Sequence, residues 1–302
     1  MEPATPESLS VLYQSADFVV VNKRWDLRLD SKLWPRPLTL QAQLNQRFPD
    51  LADPGTCHGF RFCHQLDFST SGALCVALNR AAAGRAYRCF KERIVTKAYV
   101  ALVRGHVGED RMTINHAIGK NTTEGLTHTM CIQGTEGCEN AKPCQTELWV
   151  LEHGTYSGDP ASKVLLQPLT GRTHQLRVHC SASGHPIVGD FTYSLGRDSA
   201  PFRMMLHALY LRVPTGPELV EATAPDPFLP SLDPCWVSLR TIQPLNATLR
   251  TLRTAGERAE AEEAGRVPAA GQSGTSGRAV VTECAERQCR AWLEEWAFEP
   301  DS

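Results

Sequence analysis

His64-Gln65-Leu66-Asp67-Phe68-Ser69-Thr70-Ser71-Gly72 is the stretch on which the reading of this chain turns. A single carboxylate stands among short hydroxyl side chains, directly before the apolar run Ala73 to Leu78. An unbroken apolar run of that length reads as a strand buried on both faces. A lone Asp before a strand is ordinarily a turn or capping residue. Here Ser69, Thr70 and Ser71 bring hydroxyls that suit a carboxylate, and Gly72 permits close backbone approach. The segment is expected to hold Asp67 at the mouth of a cleft.

Toward the N-terminus, residues 10–22 read as a hairpin. Val11-Leu12-Tyr13 pairs with Phe18-Val19-Val20-Val21 through a turn near Ser15-Ala16-Asp17. Leu40, Leu44 and Phe48 recur at helical spacing after Thr39, and Pro49 stops that helix. On the other side, residues 80–94 read as a helix with Ala83, Tyr87, Phe90 and Ile94 on its buried face. Tyr99 to Val103 is a strand ending at Gly105. Residues 106–143 are polar, rich in Gly and Thr, and read as a hairpin or long loop. Thr146 to Leu151 and Val164 to Leu169 form a strand pair, and Met204 to Val213 a last core strand.

Two further segments carry chemistry. Leu169-Thr170-Gly171-Arg172-Thr173-His174-Gln175-Leu176-Arg177-Val178-His179 joins a strand to a short helix, 174–182, capped by Thr173 and ended by Gly184. A helix N-terminus offers free N–H groups to a phosphate. Arg177 lies three residues after His174, on a similar face, and an arginine aimed at Asp67 would hold that carboxylate in its charged form. The plainer alternative is a structural ion pair. Lys97-Ala98-Tyr99-Val100-Ala101-Leu102-Val103-Arg104-Gly105 sets a tyrosine in a strand; such a ring is ordinarily core, or else a surface on which a base stacks.

In this order and spacing the three segments resemble the RluA family of pseudouridine synthases, with its H-R-L-D-x-x-T-S-G, K-x-Y-x-A-x-V-x-G and G-R-T-H-Q-L-R-V-H motifs. Gly184-His185-Pro186-Ile187-Val188-Gly189-Asp190 matches the G-H-P-I-x-G-D that follows, and Val19-Val20-Val21-Asn22-Lys23 the family's opening. The resemblance covers roughly residues 10–215 and is strongest to the animal branch with an RNA pseudouridylate synthase domain. It implies an α+β fold: a central mixed, mostly antiparallel sheet with flanking helices and a cleft across it.

The resemblance also implies an isomerase acting on uridine in RNA, without a cofactor. Asp67 would be its nucleophile or general base, Tyr99 would pack on the uracil, and Arg177 would pair with Asp67. His64, Gln65, Thr70, Arg172, His174 and Leu176 would line the substrate site. Two positions depart from the family: Gln65 stands where an arginine enters the RNA stack, and Arg24 replaces a proline. Gln65 leaves a second reading, an inactive RNA-binding protein of the same fold.

Composition agrees with a globular chain. It has 302 residues, 42% hydrophobic and 21% charged, with net charge −2. Arg80 to Arg104 carries seven basic residues against Glu92, either a local stripe suited to phosphate or simply a solvated helix face. No apolar run approaches the ~20 residues that span a bilayer. Eleven scattered cysteines and no recognisable leader imply reduced thiols, so the expected location is the cytoplasm, with the nucleus second. No C-x-x-C occurs, Cys131, Cys138 and Cys144 are poorly spaced for zinc, and no metal is expected. The expected state is a monomer, the expected partner RNA, with tRNA favoured. Residues 10–225 are read as the catalytic domain, with Pro225, Pro227, Pro230 and Pro234 marking the exit from it, and 226–302 as an extension. Within it 255–279 reads as disordered and 280–298 as an amphipathic helix.

Overall fold

The computed structural model describes residues 5, 8–30, 38–56 and 59–266; the helix anticipated at 280–298 lies outside them. The chain opens with strands β1 (Ser10–Gln14) and β2 (Phe18–Lys23), paired antiparallel as the hairpin pattern required. Helix α1 (Leu40–Arg47) follows, its first turn capped by Thr39, whose hydroxyl accepts from the Ala42 N–H at 3.1 Å. Next come β3 (Arg61–Phe62), β4 (Ser71–Ala77), α2 (Arg80–Lys91) and β5 (Thr96–Arg104). The long β10 (Thr146–Tyr156) and β11 (Asp159–Pro168) follow β6 (Arg111–Ile114), β7 (Ile118–Asn121), β8 (Met130–Ile132) and β9 (Cys138–Lys142). After α3 (Gln175–Ala182) come β12 (Leu206–Pro214), β13 (Leu219–Thr223), β14 (Trp236–Thr241) and α4 (Leu245–Arg266).

Among the described residues one large sheet holds eleven strands, with the main path β1-β2-β4-β12-β5-β11-β10-β14. Its strand pairs are antiparallel except β4 with β12, so the α+β, mixed and mostly antiparallel reading holds. β12 is the join. It lies between a half-sheet built early in the chain (β1, β2, β4) and one built later (β5, β11, β10, β14).

The apolar runs behave as two-faced strands. Phe18, Val20, Ala73, Cys75 and Ala77 pack on one face with Ala82, Ala86 and Cys89 of α2. Val19, Val21, Leu74 and Val76 pack on the other with Leu40 and Leu44 of α1. Alternation sends neighbouring side chains to opposite faces, so a run buried on both sides has no polar phase. Each such Val, Leu or Phe contributes about 1.5–3 kcal/mol by leaving water.

Several expectations need correction. α2 buries Ala82, Ala86 and Cys89, while Ala83, Phe90 and Ile94 pack at the margin; small side chains let the helix sit close to the sheet. Of the hairpin or long loop expected at 106–143 the hairpin holds, but the segment goes further: it supplies β6 to the large sheet and forms a separate three-stranded antiparallel sheet, β8-β7-β9. Strands of three to five residues leave too little periodicity to read. β12 is not the last core strand. After the proline-rich stretch the chain re-enters the sheet as β14, with Trp236 wholly buried. Residues 255–266, expected disordered, continue α4, whose Leu252 joins the main core. The described cysteines are free thiols, and no described helix is long and apolar enough to cross a membrane.

Candidate active site

Strand register sets out the site. Lys23 of β2 pairs with Gly72 of β4, Gly72 with Ala208 of β12, Ala208 with Tyr99 of β5, and Tyr99 with Leu166 of β11. One row thus crosses both half-sheets at the point where β4 begins. Asp67 sits in the turn just before it, with its backbone carbonyl accepting from the Thr70 N–H at 3.0 Å. Gly72 makes the seam possible. Its φ is +113°, and a Cβ there would lie 2.2 Å from the Ala208 carbonyl oxygen, so only glycine lets β4 and β12 meet.

Arg177 of α3 reaches this row from the other half-sheet. Its Nη1 lies 3.4 Å from Asp67 Oδ2, while Nε and Nη2 grip Asp190 side-on at 2.8 and 2.9 Å. The Asp190 carboxylate is fully buried; that of Asp67 is 29% exposed and reachable by a ligand. Burial opposes the Arg177 charge, but the Asp190 hydrogen bonds and the charges of Asp67 and Asp190 outweigh it, so its pKa is raised. The arginine therefore fits both readings of its sequence: its stronger contact is a structural ion pair, and its remaining N–H faces Asp67. Its guanidinium also lies 4.8 Å from the Tyr193 ring centroid. Tyr193 is fixed in turn, its hydroxyl accepting from the Met130 N–H of β8 at 2.9 Å and bonded to His174 Nδ1 at 2.8 Å. The small sheet thereby props the arginine's neighbour. Asp190 ends the quoted G-D motif, and Tyr193 follows it by three residues. Neither was singled out from sequence, because nothing local marks them as partners of a distant arginine.

Tyr99 is partly buried between two core clusters. Burial first, and the charge of Asp67 second, raise its phenol pKa, so it keeps its proton at neutral pH. Lys23 is buried under the Asp67 turn and donates to the carbonyls of Arg24 (3.0 Å), Leu27 (2.8 Å) and Phe68 (2.9 Å). Burial pushes its pKa down to about 7, against the pull of Asp67 and Asp26. Of the three hydroxyls expected to hold Asp67, neither that of Thr70 nor that of Ser71 bonds its carboxylate. Ser71 Oγ accepts from Arg203 Nη2 at 2.6 Å and bonds His207 Nδ1 at 2.7 Å, nailing β4 to β12. Thr70 Oγ1 is buried with no hydrogen-bond partner among the described residues.

The six residues expected to line a substrate site divide. Gln65 is exposed beside the Asp67 turn, and His174 is partly exposed against Tyr193. Leu176 is buried in the main core, and Thr70 behind the turn. His64 is a core histidine: Nε2 accepts from the Cys75 N–H at 3.0 Å and the ring stacks on Phe90. Burial, with the charge of Lys97, lowers its pKa to about 3. Arg172 points its Nη2 to the Pro143 carbonyl at 3.4 Å. The cap of α3 is His174, in the left-handed region at φ 52°, not Thr173. Two N–H groups expected to be free for phosphate are paired internally, Arg172 N–H to Gln175 Oε1 and Gln175 N–H to the Arg172 carbonyl. Among the described residues no cluster of three or more His, Cys, Asp or Glu is placed to hold a metal.

A family model described as RNA pseudouridylate synthase matches residues 17–182. The chain is 63% identical over 306 residues to mouse (Mus musculus) RNA pseudouridylate synthase domain-containing protein 1, with all of both chains covered. It is 35% identical over 208 residues to the dual-specificity RNA pseudouridine synthase RluA of Escherichia coli strain K12, covering 68% of this chain and 86% of that one. Among solved structures, human RNA pseudouridylate synthase domain containing 1 superposes with a TM-score of 0.76 at 65% identity, covering 84% of this chain and 98% of that one.

Proposed function

The chain belongs to the RNA pseudouridylate synthase family, and from that premise we propose that it isomerises uridine to pseudouridine in RNA with Asp67 as its catalytic carboxylate. The observation that carries this is the linkage of a reachable Asp67, through Arg177, to the buried Asp190, with a protonated Tyr99 on the adjoining row. The reaction breaks N1–C1′, turns the uracil and joins C5 to C1′. C5 loses a proton, N1 gains one, and nothing is oxidised. Such chemistry needs a carboxylate, a face to hold the loose uracil, and a proton donor nearby. Tyr99 supplies the last two. Asp67 acts as nucleophile or as base.

The target base must leave its stack, at a cost of about a few kcal/mol that is least for an unpaired uridine. A tRNA loop meets that condition, and we propose tRNA as the substrate class, with the enzyme in the cytoplasm and the nucleus. Asp67→Ala tests the assignment. Pseudouridine formation should fall below about 1% of wild type, near 3 kcal/mol of barrier, with an unchanged thermal melt. Turnover above that level in a folded variant rejects Asp67 as the catalytic group. A second reading, an inactive RNA-binding protein, is favoured by the exposed Gln65. It gains if wild type modifies no RNA until Gln65→Arg is made.

A further inference from the structure

Three aromatic rings stand beside the Asp67 turn and outside every core cluster of the described residues: Trp25, Phe68 and Phe202. Phe68 and Phe202 are each 49% exposed, large apolar surfaces left to solvent. Phe202 meets the Trp25 ring edge-on, centroids 6.0 Å apart at 69°. Guanidinium groups attend the rings. Arg24 lies 4.7 Å and Arg203 4.6 Å from the Trp25 centroid, and Arg28 lies 5.5 Å from that of Phe68.

The rings are fixed relative to Asp67. The single Lys23 ammonium binds the carbonyls of Arg24, Leu27 and Phe68, tying the Trp25 turn to the residue after Asp67. Arg203, behind Trp25, is itself anchored on Ser71 at the head of β4. Burial lowers the pKa of both Lys23 and Arg203, and the charge of Asp26, the acid of this turn, opposes that in each.

We propose that Trp25, Phe68 and Phe202 form a ledge on which an unpaired nucleotide flanking the target uridine stacks, with Arg24 and Arg28 turning to its phosphates. This rests on the reading of the chain as an RNA-modifying enzyme and names how that site takes hold of its substrate. Exposed rings with guanidinium partners suit nucleobases, whose π-faces stack whatever their sequence and whose backbone carries the matching charge. A chain with Gln65 in place of an arginine lacks that cation for an opened stack, and the ledge supplies a hold on the strand beside it.

The test uses the full chain, a fluorescein-labelled oligouridylate of about ten nucleotides, and an RNA duplex of the same length. Trp25→Ala and Phe68→Ala should each weaken the single strand about tenfold, and the duplex by less than about twofold. Phe68→Leu keeps the bulk but removes the ring, and should weaken the single strand about fivefold. It decides the matter if the alanine variants fail to fold. Unchanged affinity in Phe68→Leu, equal losses on both probes, or no binding of the oligouridylate by wild type overturns the proposal. Asp67→Ala should bind the oligouridylate as wild type does. An active Asp67→Ala combined with a weakened Phe68→Leu would reject the catalytic assignment and leave the ledge standing.

Discussion

Arg177 serves two carboxylates of unequal burial. Asp190 takes the planar fork at 2.8 and 2.9 Å, and Asp67 the remaining N–H at 3.4 Å. Removing the side chain would therefore do two things. It would leave Asp190 buried without its counter-charge, which costs about 3–5 kcal/mol of stability, and take a positive charge from beside Asp67. Arg177→Ala is expected to melt lower and to lose on the order of a hundredfold in single-turnover rate. Arg177→Lys should recover part of the rate but little of the stability, because a point charge cannot replace the fork. A normal single-turnover rate in Arg177→Ala, with only RNA affinity reduced, would show that its contact with Asp67 has no part in the chemistry. The sequence motifs brought Asp67, Tyr99 and Arg177 to attention. They contained Asp190 without giving it a role and stopped short of Tyr193; the importance of both arises only from what packs beside them.

At the scale of elements, β4 is held by two unusual contacts. Gly72 lies against the Ala208 carbonyl, so Gly72→Ala should lower the urea unfolding free energy by at least about 2 kcal/mol. A loss under about 0.5 kcal/mol would mean the strands part easily there. The second contact is His64, which caps the Cys75 N–H as a neutral ring. Its folded pKa of about 3 lies below the ordinary 6.5, so the unfolded chain takes up the proton first as pH falls. Stability from His64 is thus complete above about pH 6.5 and declines from there to about pH 3, by about 2 kcal/mol at pH 5. His207, also depressed to about 3 by burial and by Arg203, adds a similar slope. Melts at about pH 7 and pH 5 should differ less in His64→Gln than in wild type; equal slopes would refute the assignment. Long strands and capped helices were legible because burial on both faces, or a capping Thr39, leaves a mark in sequence. The short strands of 106–143 were not. Their partners, α3 and Tyr193, come later in the chain.

For the whole molecule, the sheet continues past the prolines. Trp236 of β14 is wholly buried against Gly154, and Leu252 of α4 is 3% exposed in the main core. Loss of such side chains costs about 2–5 kcal/mol each, against a total stability of about 5–15. A chain ending at residue 230 should be insoluble or unfolded by circular dichroism. A melt equal to that of wild type would mean that β14 and α4 are dispensable. The sequence misjudged this region because four prolines in close succession mark a change of direction as readily as an exit.

The join at β12 has a consequence for how the chain acquires its activity. Asp67 stands in the turn that leads into β4 of the half-sheet made first, and Arg177 on α3, which packs on β11 of the other half; β12, which unites the two halves, follows both residues in the chain. Ser71 and His207, the contact that closes the seam, are 136 residues apart. Closing so long a loop is slow, and its entropy is recovered only when the strand is seated. In refolding from urea, fluorescence should recover in an early phase as each half collapses. Single-turnover activity should return only with the slowest phase; activity in the early phase would contradict this order. On the ribosome the same order should keep a nascent chain from modifying RNA, with Asp67 made and Arg177 not yet opposite, until β12 is laid in between.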